Sequence, residues 1–188
     1  RHYRIVASTT NSGVSYDIYN AKIIFNQFAG TESSPTLALV QQTTCVKGSA
    51  GTTLVCTLGS APTAGSALIV TSGIDSDTGA VSSISGGGVT WGLVKGPISN
   101  NSQGEDIWAG LNSSGSGTTI TITYTLTGSA GANVSEWSGV ATSDATDVTA
   151  SAIGTSISPV SGTGATTNDD GYGFAYRSYL WFGIGRVP

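Results

Sequence analysis

The clearest periodic signal lies at 118–126, TTITITYTL, where Ile120, Ile122, Tyr124 and Leu126 alternate with Thr119, Thr121, Thr123 and Thr125. A period of two puts one set on one face of an extended chain and the other set on the opposite face. The pattern predicts a strand with an apolar face in a core and a threonine face outward. Further strands are predicted over 15–28, 36–44, 52–58, 67–73, 90–95, 106–111, 132–138 and 176–187. The runs between them, among them SAPTAGS, SISGGG, NSSGSG and TGSAG, consist of residue types that turns require. No window of a dozen residues carries apolar positions at the three-to-four spacing of a helix. Short strands separated by turn signals predict an all-β fold, a β-sandwich of the Ig-like or jelly-roll kind.

The chain divides into three parts by pattern. Residues 1–35 form an extended N-terminal arm around the strand VSYDIYNAKIIFNQF, and 36–165 hold the regular sandwich. Residues 166–188 are an aromatic C-terminal strand expected to complete or bridge a sheet. Tyr172, Phe174, Tyr176, Tyr179, Trp181 and Phe182 crowd more ring area into that tail than one face of a short strand can bury. With Tyr16, Ile18, Ile23 and Phe25 of the arm they are expected to form an assembly interface, because interface cores are rich in aromatics. A chain that begins at Arg1 and contains no Met is expected to have been cut from a precursor or to be part of a longer product.

Composition sharpens this picture. Only 10% of the 188 residues are charged, well below the usual share of a globular domain. A surface of Ser, Thr, Asn and Gly lets copies pack without desolvating many ions. The net charge of −4, with Lys and Arg scattered, excludes the basic stripe that nucleic acid requires. No apolar run is long enough to cross a bilayer as a helix, so membrane insertion is not expected. Cys45 and Cys56 lie in TTCVKGSAGTTLVCTL, which reads as strand, turn, strand. If those strands pair, the two sulfurs face each other across the ladder; a disulfide and an oxidising compartment are favoured over two buried thiols.

From Leu39 to Gly162 the chain resembles a β-sandwich module that recurs in bacterial, archaeal and phage surface proteins. The residues that carry the resemblance are the strand pair around Cys45 and Cys56, SAPTAGSALIVTSG (60–73), VSSISGGGVTWGLV (81–94), EDIWAGLNSSGSGTTITITYTL (105–126), ANVSEWSGV (132–140) and DATDVTAS (144–151). The arm segment SYDIYNAKIIFNQ is similar to the closing strand of laminin-G or concanavalin-like modules. The resemblance implies an extracellular, cell-surface or virion-surface location, and it transfers no catalytic residue.

The candidate chemistry is sparse. His2 is the sole histidine and stands beside the chain end, which argues against a nucleophile–histidine pair. Glu105, Asp106 and Glu136 are the carboxylates that a glycosidase would draw on, and strand alternation carries Glu136 inward. Surface carboxylates, or carboxylates bonded to backbone amides in a turn, are the preferred reading, and no enzymatic activity is expected. No cofactor is expected; a structural calcium ion is weighed at Asp75 with Asp77, Asp144 with Asp147, or Asp169 with Asp170. Trp91, Trp108 and Trp137 lie in apolar strands, so core packing is preferred over stacking on a sugar. Asn100, Asn112 and Asn133 fit the N-x-Ser/Thr acceptor pattern, the first two in loops and the third at a strand start.

These features together predict a non-enzymatic structural subunit of an extracellular filament, pilus-like appendage or surface assembly. Its partner is expected to be itself, through strand addition and apolar packing. A virion structural protein, such as a capsid decoration or tail component, is the first alternative. A carbohydrate-binding module of an adhesin or tail fibre, with glycans as partners, is the second.

Overall fold

A computed structural model describes residues 36–100, 103–151, 172–176 and 180–184, the last two ranges as backbone. The predicted arm, with Tyr16, Ile18, Ile23 and Phe25, lies outside the described residues, as does Tyr179. All regular structure among the described residues is β. The strands are β1 (Ala38–Lys47), β2 (Thr53–Thr57), β3 (Ala67–Ile74), β4 (Val81–Gly86), β5 (Thr90–Asn100) and β6 (Gln103–Leu111). They continue with β7 (Thr119–Tyr124), β8 (Ala130–Ser138), β9 (Thr146–Ser151), β10 (Tyr172–Tyr176) and β11 (Leu180–Ile184).

Five strands form one antiparallel sheet in the order β1-β8-β3-β6-β5, and three form another in the order β2-β7-β4. The two sheets share one apolar core. β7 supplies Ile120, Ile122 and Tyr124 from the smaller sheet, while β3 and β8 supply Leu68, Val70, Ile74 and Val134 from the larger. The alternation in TTITITYTL is therefore realised as expected up to Tyr124. Leu126 departs from it: β7 ends at Tyr124 and Leu126 is exposed, because the chain turns into β8 before the pattern is complete.

The larger sheet also carries a second core on its other face. Leu37, Ala67, Ile69, Ile107, Val140 and Ala145 are buried there, with Val94, Ile98 and Trp137 packed against them. β3 lies between β8 and β6 and takes part in both cores, which explains its near-continuous burial over ALIVTSGI.

The tail holds two strands where one was expected over 176–187. β10 pairs with β11, and β11 pairs in turn with β9, making a third antiparallel sheet that lies against β5. A further difference concerns 81–86. The run SISGGG was read as a turn, yet Val81–Gly86 is strand β4 on β7. Its buried residues, Val81 and Ile84, are three apart because the register shifts between Val81 and Ser83, which hides the period of two. The turn itself spans residues 87–89, and Gly86, Gly87 and Gly88 all take positive φ.

Cys45 and Cys56 form a disulfide, with Cα atoms 5.4 Å apart. The expected ladder between their strands is not what brings them together. β1 pairs with β8 and β2 with β7, so the bond crosses from one sheet to the other through the core. The intervening segment changes sheets and is not a hairpin turn. Lys47 holds it in place, donating from Nζ to the carbonyls of Gly51 at 2.8 Å, Gly48 and Gly128, above the ring of Tyr124.

Candidate functional site

Among the described residues the most distinctive surface is the outer edge of β1. A sheet-edge strand presents a row of backbone N–H and C=O groups that a further strand can pair with. Among the described residues, β1 pairs with β8 alone. From Ala38 to Val46 the strand reads ALVQQTTCV and contains no ionisable side chain apart from the bonded cysteine. Its single cation, Lys47, is turned onto three carbonyls as described above.

Local alternation fixes what this edge shows to solvent. Gln41, Thr43, Cys45 and Lys47 point toward the smaller sheet, and Gln42, Thr44 and Val46 point away from it and are exposed. From Gln41 to Lys47 the strand keeps one-to-one register with Glu136–Ala130, the single irregularity lying at Val40. Val46 is 83% exposed, and Leu39 and Val40 are 45% and 47% exposed. Beside Val46 a cleft of about 420 Å³ opens over Gly131 and Gly73, with Glu105 on its far side. These residues occupy successive strands of the sheet, so the two glycines leave the floor bare of side chains.

Two cross-links hold the inner side of β1 to the body. One is the disulfide. The other is Glu136, which is completely buried and accepts hydrogen bonds from Gln41 Nε2 at 2.6 Å and from the Thr63 amide at 2.7 Å. Gln41 also donates to Ser60 O and accepts from the Ser60 amide. Burial pushes the Glu136 carboxyl up, but hydrogen bonds from Gln41, Thr63 and Ser66 outweigh it and hold the group below the usual carboxylate range. The inward orientation read from the sequence is thus correct, and the carboxylate spends both oxygens tying the β2–β3 loop to β1.

The other two carboxylates do not join it. Asp106 faces the inter-sheet core from β6, where Oδ2 accepts from the Val81 amide at 2.7 Å. Burial pushes its carboxyl up to about 6, against the lowering effect of that amide. Its second oxygen meets no donor among the described residues. Glu105, the next residue along the strand, is buried on the opposite face beside the cleft. Among the described residues the three groups belong to separate environments.

The remaining sites are dispersed as well. Among the described residues no three His, Cys, Asp or Glu side chains converge as metal ligands, and Asp169 and Asp170 lie outside the described residues. Asp75, Asp77 and Asp144 are exposed, and Asp144 takes a left-handed turn conformation. Trp91 and Trp108 pack against the inter-sheet core, and Trp91 Nε1 donates to Gly86 O at 3.0 Å. Trp137 packs on the second core and donates to Ser135 Oγ. Asn112 is exposed in the turn after β6, and Asn100 ends β5. Asn133 lies inside β8, half-buried between Thr44 of β1 and Thr71 of β3, and not at the strand's start. The backbones of Tyr172, Phe174 and Tyr176 lie in β10, and those of Trp181 and Phe182 in β11.

Comparison with protein-family models, with characterised proteins and with solved structures finds no match. The functional reading therefore rests on the residues themselves.

Proposed function

We propose that this chain is a non-enzymatic structural subunit of an extracellular filament, appendage or surface assembly, joined to its neighbours by strand addition and apolar packing. The observation that carries the reading is the edge of β1, regular over seven residues and without a free charge or proline from Ala38 to Val46. Natural proteins that remain dispersed commonly guard such edges with lysine, proline or bulges. A disulfide between the sheets suits an oxidising location and makes the body resistant to unfolding. The low share of charged residues suits close stacking of copies.

A second reading has its own support. The order β1-β8-β3-β6-β5 facing β2-β7-β4 supports a jelly-roll reading in which β5 has joined the larger sheet, and jelly rolls serve in viral capsids and in lectins. A virion coat or decoration subunit would use the same edge-to-edge physics.

Electron microscopy and light scattering of the purified chain test the proposal. Ordered oligomers that persist from low to high salt are expected, since few ion pairs are available to be screened. A chain that stays monomeric at high concentration overturns it.

A further inference from the structure

We infer that the partner of the β1 edge is β1 of a second copy, paired antiparallel about a twofold axis. The inference rests on the self-assembly reading and specifies one of its interfaces, a closed pair from which larger assemblies are built through other contacts. Three observations point to this occupant. The strand is uncharged over Ala38–Val46, so two copies meet without the like-charge penalty that would prevent self-pairing. Lys47, the one cation, is engaged by the carbonyls of Gly48, Gly51 and Gly128. The exposed apolar residues stand near both ends of the strand, Leu39 and Val40 at one and Val46 at the other. Reversal of a second copy brings unlike ends together. A register centred on Thr43 sets Thr44 opposite the second copy's Gln42 and brings Val46 toward the irregularity at its Val40. Two apolar contacts related by the axis then close the two ends of a continuous ten-stranded sheet, five strands from each copy.

The other edge of the same sheet does not offer this. β5 carries Lys95 and Pro97 and shifts register twice against β6, between Leu93 and Lys95 and between Lys95 and Ile98. β9 and β11 also lie against it.

The test uses the full chain and two charge variants, Gln42→Lys with Thr44→Lys and Gln42→Glu with Thr44→Glu. Both side chains are exposed, so the fold is retained and is checked by circular dichroism. In the proposed register each substituted residue meets its like across the axis. Each variant alone should associate about tenfold more weakly than the native chain, by sedimentation velocity. An equimolar mixture should recover the native association. If the native chain associates and the variants do so equally well, the interface lies elsewhere and the wider assembly reading survives. If the variants dissociate but mixing does not restore them, β1 pairs with a different strand, such as the arm of a neighbour, and the inference falls. If the native chain never associates, both fall.

Discussion

The two edges of the five-stranded sheet are opposites. β1 is even and neutral, pairs among the described residues with β8 alone, and has its irregularity confined to Val40. β5 is broken by two register shifts, carries a lysine and a proline, and has the third sheet beside it. Their inner sides differ in the same sense. β1 is tied down by a disulfide and by the Gln41–Glu136 hydrogen bond. β5 bends at Gly96, where φ is +125° and any side chain would collide with the Asp106 carboxylate. The difference teaches that a strand rigidly fixed on one side can leave its other side free for pairing, whereas a bent strand is unsuited to accept a neighbour.

The largest expected effect comes from cutting the anchor of β1. Cys45→Ala with Cys56→Ala should lower unfolding stability by about 2–4 kcal/mol in chemical denaturation. It should also weaken association, because an unanchored β1 must be ordered before it can pair. Loss of stability with association unchanged would separate the anchor from the edge.

Removing the second anchor should cost somewhat less. Glu136→Ala leaves the Thr63 amide and Gln41 without their acceptor, at about 2–3 kcal/mol. Because the native carboxyl lies below its ordinary range, its contribution is present at neutral pH and is lost as pH falls through the folded value. The variant's stability deficit should therefore narrow in acid, as read from thermal unfolding between neutral pH and pH values below the usual carboxylate range.

On the β5 side the sign reverses. Asp106 titrates near 6 in the fold against 3.8 for an unperturbed Asp, so burial favours its neutral form. Its contribution is most favourable below the unfolded value, is lost as pH rises through about 6, and is a full penalty above that. Asp106→Asn should then stabilise the protein by about 1–3 kcal/mol above that pH. The gain should vanish in acid. A destabilised variant at neutral pH would mean that the charged carboxylate has a partner essential to the β5 bend.

The smallest effect is expected at the guarded edge itself. Leu93 is exposed on β5, and Leu93→Lys should change stability by less than about 0.5 kcal/mol and leave association as it was. A marked loss of association there would erase the contrast between the two edges.

How much of this was legible in the sequence depends on whether local periodicity survived. β7 was readable because Ile120, Ile122 and Tyr124 alternate without interruption. β4 was hidden because a register shift spaces Val81 and Ile84 by three, and its serines and glycines look like a turn. β9, Thr146–Ser151, was missed because its residues carry too little apolar alternation to mark a strand. The inward side of Glu136 was legible from alternation along β8, but its partners were not, since Gln41 and Thr63 are distant in the chain.

The sequence by itself determined that the protein is built of strands, which faces of the clearest strands are apolar, and that its surface is short of charge. These are local properties, set by side-chain type and the two-residue period of extended chain. Only the tertiary structure decided which strands share a sheet. It placed Cys45 and Cys56 on different sheets, put the three candidate carboxylates in separate environments, and among the described residues left β1 on an edge while β3 was buried on both faces. Pairing between distant strands depends on how two cores are filled at once, and no local pattern encodes that choice.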